Sequence, residues 1–271
     1  DMELNLNQIA QVNYLVIAER FPERYFNWPA QVDVLKNMLA FEDSKSTPDN
    51  VITWLKLTQD TLDSAKQSNL KLNKIELTLL QSYVLSAIGS NDAQPALKSH
   101  IRAFSDYLAS YKPRGSVGLR GLPNGTQWYQ SKLNYFSGEV HSPLEWVTLL
   151  NKKIKVSEHV VFDSKLSTSH QTSFVVKYLS DEKLIEGLDW QSAYLDLPAM
   201  ASNMNMSDKD NTLMLAMMES DIGIHYHAWT LPQAKVNLMK RLEISQEEAQ
   251  YLVEDILLYP GQSFSFIQQL M

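Results

Sequence analysis

The stretch that decides the fold class is Ile75-Glu-Leu-Thr-Leu-Leu-Gln-Ser-Tyr-Val-Leu-Ser-Ala-Ile-Gly89. Its apolar residues recur three and four positions apart, so they fall on one face of a helix with 3.6 residues per turn. The residues of this face are Ile75, Leu79, Leu80, Tyr83, Val84, Ala87 and Ile88. The pattern predicts a helix that buries this face and ends at Gly89-Ser90-Asn91-Asp92.

The same helical spacing continues along the chain, where only nine glycines and ten prolines interrupt 271 residues. We therefore predict a mostly α fold, a helical bundle with at most a small sheet of short strands. The strand candidates are residues 155–162 and 117–119. A mild change of composition near 90–94 predicts an N-terminal helical subregion, 1–92, and a second region, 93–271. We expect the two regions together to form one compact domain.

Several helix starts can be recognised from their capping residues. Thr47-Pro48 places a hydroxyl at the N-cap and a proline at the first helical position, which predicts a helix over 48–67. Ser142-Pro-Leu-Glu145 and Ser245-Gln-Glu-Glu248 each offer a capping box, and Thr230-Leu-Pro-Gln233 is a weaker version of it.

Composition excludes several classes of function. The formal net charge is −7, and no cluster of lysine and arginine could neutralise many phosphates, so we expect no nucleic acid partner. No apolar segment reaches the roughly 18 residues that a transmembrane helix needs. The chain has no cysteine, which excludes disulfides and thiolate metal sites and leaves histidines and carboxylates as metal ligands.

Three blocks of sequence carry a family resemblance. They are Gly121-Leu-Pro-Asn-Gly-Thr-Gln-Trp-Tyr129, Asp221-Ile-Gly-Ile-His-Tyr-His-Ala-Trp-Thr230 and Tyr259-Pro-Gly-Gln262. In this order they resemble the Domain of Unknown Function 885 family, bacterial proteins that are often lipoproteins or exported and are grouped with zinc metallopeptidases. The resemblance covers residues 95–271. It implies a periplasmic protein or a membrane-anchored lipoprotein, with a cytoplasmic location left open.

The chain departs from this family at the motif that carries the family's zinc chemistry. Members carry an H-E-x-x-P-G-H-H-x-Q motif, whose histidines bind zinc and whose glutamate polarises the bound water. The corresponding interval here is Asp163-Ser-Lys-Leu-Ser-Thr-Ser-His-Gln171, without the His-Glu pair and the Pro-Gly turn. The long insert that usually precedes the motif is nearly absent. The resemblance thus implies a shortened, degenerate and non-catalytic member that binds or assembles through a remnant cleft, without a cofactor.

An altered zinc site in a peptidase-like hydrolase is the alternative. Its ligands would come from His170, Glu186 and His225, with His159 as a further candidate. Glu186 would act as a catalytic base together with His225, and Asp221 would share a helix face with His225 at the i, i+4 spacing. In the opposite interpretation His225 packs inside the bundle, His227 faces solvent and Glu186 is an ordinary helix residue.

A ligand groove is the remaining prediction from the residues. Its candidates are Trp128, Tyr129, Trp229 and Gln262. Aromatic side chains of this kind would suit a peptide or protein partner, although aromatic residues at helical spacing also fill helical cores. The sequence leaves both interpretations open.

Overall fold

The computed structural model describes residues 21–22, 24–26, 47–89, 95–154, 170, 172–181 and 197–270. Over these residues the protein is mostly α, a helical bundle, as predicted. Its helices are α1 Thr47–Gln67, α2 Lys74–Gly89, α3 Pro95–Ser110, α4 Gly125–Ser137, α5 Pro143–Lys153, α6 Phe174–Asp181, α7 Asp208–His225, α8 Leu231–Leu242, α9 Gln246–Leu258 and α10 Ile267–Leu270. Two 3-10 turns, Leu119–Gly121 and Gln262–Phe266, complete them.

The described residues contain no β-strand, and their only β-bridge is an isolated one between Asn73 and Arg114. The strand predicted at 117–119 is wrong, because Leu119 begins the 3-10 turn Leu119–Gly121. The amide of Leu119 donates to the ring of His225 instead of to a neighbouring strand. The other strand candidate, 155–162, lies outside the described residues.

The capping signals are the most accurate part of the sequence prediction. The helix expected over 48–67 is α1, and the capping boxes at Ser142, Thr230 and Ser245 are all present with both of their hydrogen bonds. A fourth box, Ser207 with Asp210, opens α7. These boxes need only residues three positions apart, so the local sequence is sufficient to specify them.

The chain forms two compact units, Pro22–Ser116 and a second that contains the residues from Val117 onwards. The sequence placed the division at 92–93. The structure places it after Ser116, because α3 packs against α1 and α2 and therefore belongs to the first unit. The compactness of the whole chain as one domain stays a prediction.

The first unit has a buried ionic network at the start of α2. The hydroxyl of Tyr25 donates to the carboxylate of Glu76 at 2.5 and 2.6 Å, and Arg114 lies 3.4 Å from the same carboxylate. Burial raises the pKa of Glu76, while Arg114 and Tyr25 oppose that shift. The network draws Glu76 into the interior of the unit. Among the apolar residues of the predicted face of α2, Leu80 is fully buried whereas Leu79 is only partly so.

The second unit is organised around α7. This helix packs against α5, α8 and α9 and against the 3-10 turn Gln262–Phe266. Twelve of its residues are buried, including polar Ser220, Asp221 and His225 near its C-terminal end. None of the described helices is both long enough and apolar enough to cross a membrane. The last turns of α7 hold Asp221 and His225, two of the residues that the sequence singled out for function.

Candidate functional site

Asp221 joins three parts of the second unit through its carboxylate. It accepts a hydrogen bond from the hydroxyl of Tyr129 on α4 at 2.5 Å and another from the backbone amide of Gly261 at 2.8 Å. The side chain is 1% exposed. Burial raises the pKa of Asp221 to about 7, although the hydrogen bonds from Tyr129 and Gly261 favour the ionised form. Asp221 therefore connects α7 to α4 and to the turn before Gln262.

His225 is fully buried, and both of its ring nitrogens are hydrogen-bonded to backbone groups. Nδ1 accepts from the amide of Leu119 at 3.1 Å, and Nε2 lies 2.9 Å from the carbonyl oxygen of Ile256. Because a carbonyl can only accept, Nε2 carries the hydrogen and donates it. The ring thus bridges the 3-10 turn at Leu119 and helix α9, and neither nitrogen has a lone pair left for a metal ion.

Glycines within and beside the family-like blocks allow close packing around these two residues. A Cβ atom at Gly118 would overlap the carbonyl oxygen of Ile224, and one at Gly223 would overlap the indole ring of Trp229. A Cβ at Gly125 would overlap the carbonyl oxygen of Leu119. We call Tyr129, Asp221, His225 and Gly261, together with Gly118, Gly125 and Gly223, the motif cluster. It is a packed junction of backbone and side chains.

The predicted groove residues lie mainly in the core. Trp128, Tyr129 and Gln262 are buried, and Trp229 is partly exposed with its ring against Gly223. Nζ of the buried Lys132 lies 5.5 Å from the ring centroid of Trp128. The three buried residues therefore contribute to packing in the core. This arrangement follows the core interpretation that the sequence left open.

His170 lies in a second polar cluster, against α9. Its Nε2 is 3.0 Å from the carboxylate of Glu254, its Nδ1 is 3.8 Å from that of Asp255, and its ring stacks on Tyr251 with centroids 4.5 Å apart. Burial alone would lower the pKa of His170, but the interactions with Asp255 and Glu254 raise it. The hydroxyl of Tyr259 donates to the backbone carbonyl of His170 at 2.6 Å.

The alternative zinc site falls only partly within the described residues. No group of three or more histidine and carboxylate side chains in this part of the chain could hold a metal ion. Binding through His225 would require the ring to give up a backbone hydrogen bond. Glu186 and His159 lie outside the described residues, while His227 is exposed as the packing interpretation expected.

A groove of about 640 Å³ opens elsewhere in the second unit. It lies between the C-terminal end of α5, the N-terminal half of α7, α8 and the end of the chain. Its lining residues are Lys152, Lys153, Ile154, Asp208, Asn211, Thr212, Leu215, Ala216, Arg241, Gln269 and Leu270. We call it the basic groove, since three lining residues are basic and one is acidic. The adjacent Lys152 and Lys153 were visible in the sequence, but Arg241 joins them only in the fold.

The similarity of this chain to known proteins concerns its fold alone. No family model matches the sequence, and no curated protein matches it. Among solved structures, the chain is similar to "the putative lipoprotein from Colwellia psychrerythraea", with a TM-score of 0.52 and 10% identity. The similarity covers 88% of this chain and 71% of that one. The likeness shows a shared helical fold.

Proposed function

We propose that this protein is a non-catalytic binding protein with a peptide or protein partner. The observation that carries the proposal is the pair of backbone hydrogen bonds at His225, the best sequence candidate for a metal ligand or catalytic residue. A histidine that acts in catalysis needs a nitrogen that reaches substrate, water or metal. Here both nitrogens hold the fold together instead.

The rest of the motif cluster supports the same proposal. Asp221 accepts from Tyr129 and Gly261, and the glycines beside it admit backbone and ring atoms at close range. Such residues would preserve the helical frame of a zinc-peptidase-like protein after its metal motif had been lost. We therefore propose that the chain is a shortened, degenerate relative of the Domain of Unknown Function 885 family.

An exported or lipid-anchored location is part of the proposal. It is supported by the family resemblance and by the fold shared with the Colwellia protein, which is described as a "putative lipoprotein". A binding protein at the cell envelope would meet peptides and proteins rather than nucleic acid, in keeping with a net charge of −7.

Metal content is the direct test of the non-catalytic proposal. The native protein, His170→Ala and His225→Ala would be washed with a mild chelator and analysed for zinc by mass spectrometry. We expect no stoichiometric zinc in any of the three. About one zinc per chain in the native protein, lost in His170→Ala while circular dichroism stays unchanged, would support the metal-dependent hydrolase instead.

A peptide-hydrolysis assay completes this test. The native protein with added zinc would be incubated with a mixture of unlabelled peptides, and the products would be followed by mass spectrometry. We expect no cleavage beyond that of a heat-denatured sample. Zinc-dependent cleavage that is abolished in His170→Ala would overturn the non-catalytic proposal.

A further inference from the structure

The basic groove has the composition of a binding site for an acidic peptide. We propose that it binds a short peptide segment whose carboxylates pair with Lys152 and Lys153. This inference rests on the proposed function, because it names the chemistry of the partner and the surface that the partner contacts. It does not involve the motif cluster, whose residues do not line the groove.

The charges of the groove favour an anionic ligand. Lys152 and Lys153 are exposed in the last turn of α5, and neither forms an ion pair with any described residue. Arg241 is held by Glu219 through hydrogen bonds of 3.2 and 3.0 Å, so its charge is largely compensated. Asp208 is the acidic residue of the lining. The two lysines therefore give a local positive surface on a chain whose formal charge is −7.

The floor of the groove adds apolar surface and an unused hydrogen-bond acceptor. Leu215 and Ala216 are buried on α7 and line the groove beside the basic residues. The side-chain oxygen of Asn211 is buried and has no hydrogen-bond partner among the described residues. A buried acceptor of this kind is stabilised when a donor reaches it. The groove thus offers an N–H group a place next to apolar surface and positive charge, once a rotation of the Asn211 side chain turns this oxygen into the groove.

An acidic peptide has three kinds of group that match this groove. Its backbone amides can donate to Asn211, its aliphatic side chains can cover Leu215 and Ala216, and its carboxylates can pair with the lysines. A simple acyl chain has no N–H donor for Asn211. The volume of about 640 Å³ lies within the range of roughly 300–1,000 Å³ that is typical of ligand pockets.

A peptide display experiment tests the inference with the full chain. A library of random short peptides would be selected against the native protein, Lys152→Glu/Lys153→Glu and the matched control Lys56→Glu/Lys112→Glu. All four lysines are exposed, so both double variants should fold, which circular dichroism checks. We expect sequences rich in aspartate and glutamate to be enriched on the native protein and the control. Synthetic versions of them should bind the groove variant at least about tenfold more weakly.

Asn211→Leu supplies a second, independent variant. It removes the side-chain acceptor without changing the charge of the groove. We expect it to weaken binding of the selected peptides while their preference for acidic residues persists. Unchanged affinity in this variant would overturn the proposed contact between Asn211 and a peptide amide.

The outcomes separate the inference from the proposed function. Enriched peptides without an acidic bias, or peptides that bind the Lys152→Glu/Lys153→Glu variant as tightly as the native protein, would overturn the groove inference and leave a peptide-binding function standing. If no peptide is enriched on any of the proteins, the groove inference fails and so does the peptide-binding function. Binding that weakens steeply with added salt would support the charge pairing.

Discussion

At the scale of single residues, Asp221 and His225 show how a catalytic-looking motif can serve structure. Each side chain has polar atoms that could act on a substrate, yet each is buried and bonded to groups from other parts of the second unit. Buried polar groups that lose their partners are costly, so such residues stabilise the fold whatever their part in chemistry. The residue types alone are compatible with either a catalytic or a structural role.

Replacement of His225 tests this structural role. In His225→Ala the amide of Leu119 and the carbonyl of Ile256 lose their shared partner inside the core. We expect the free energy of unfolding to fall by about 2–5 kcal/mol, from the unsatisfied groups and the cavity together. Urea denaturation would measure it. His227→Ala, an exposed neighbour, is the control and should change stability by no more than about 0.5 kcal/mol.

The titration of Asp221 predicts a pH dependence of stability. Burial raises its pKa from 3.8 to about 7 in the folded protein, so folding favours the protonated carboxyl group. This contribution is fully present below about pH 4 and is lost as pH rises through about 7. A shift of this size corresponds to about 4 kcal/mol.

Asp221→Asn removes that titrating group. Relative to this variant, the native protein should lose unfolding free energy between about pH 4 and about pH 7. Urea titrations at several pH values across this window would give the difference for each pH. A difference that stays constant with pH would show that Asp221 does not titrate there.

At the scale of elements, close backbone contacts constrain the turn that precedes α4. Gly118 lies against the carbonyl of Ile224, near the end of α7, where a Cβ atom has no room. We expect Gly118→Ala to lower the unfolding free energy by about 3 kcal/mol or more, because backbone rather than a flexible side chain would have to move. Gly115→Ala is the matched control, since no atom lies within 4 Å of its added Cβ. Thermal unfolding of the two variants would compare them, and equal stability would contradict the packing role of Gly118.

The capping boxes make a second prediction at this scale. The hydroxyl of Ser245 accepts from the amide of Glu248 at 3.1 Å, at the start of α9. Ser245→Ala should cost about 1 kcal/mol of stability. Ser131→Ala, within α4, has no capping role and should be neutral or slightly stabilising because alanine is the better helix former. A loss as large in Ser131→Ala as in Ser245→Ala, measured by urea denaturation, would argue against capping as the cause.

At the scale of the whole molecule, the division into two units predicts separate stability. Arg114→Met leaves the carboxylate of Glu76 buried without its cation, which should cost about 3–5 kcal/mol. We expect hydrogen exchange to accelerate in α1 and α2 and to remain unchanged in α7. Equal acceleration in α7 would instead support the single compact domain that the sequence predicted.

Predictions from the sequence were most accurate where the structure depends on residues that are close together along the chain. Ser142 and Ser245 identified their helix starts because a capping box spans only four residues. The buried face of α2 was only partly predicted, since the partners that draw Glu76 inward lie far away at Tyr25 and Arg114. Hydrophobic spacing describes one helix at a time and carries no information about these distant partners.

Prediction of the candidate site from the sequence was also limited by contacts between distant parts of the chain. The sequence identified Asp221 and His225 as candidate functional residues. Their hydrogen bonds to Gly261 and Leu119, however, depend on how α7 packs. The basic groove was not predicted, because Arg241 and Asn211 meet Lys152 only after α5, α7 and α8 come together. Residues that look functional in the sequence lie in the core of the fold. Residues that look like ordinary surface residues in the sequence line a groove.

By itself the sequence determined the helical class and the starts of several helices, and it identified Asp221 and His225 as candidate site residues. These follow from spacing and capping within a few residues of each other. Only the tertiary structure decided that both nitrogens of His225 are used by the backbone and that Lys152, Lys153 and Arg241 line one groove. The physical reason is that hydrogen-bond partners and surface charge arise from contacts between distant segments, and those contacts exist only once the chain has folded.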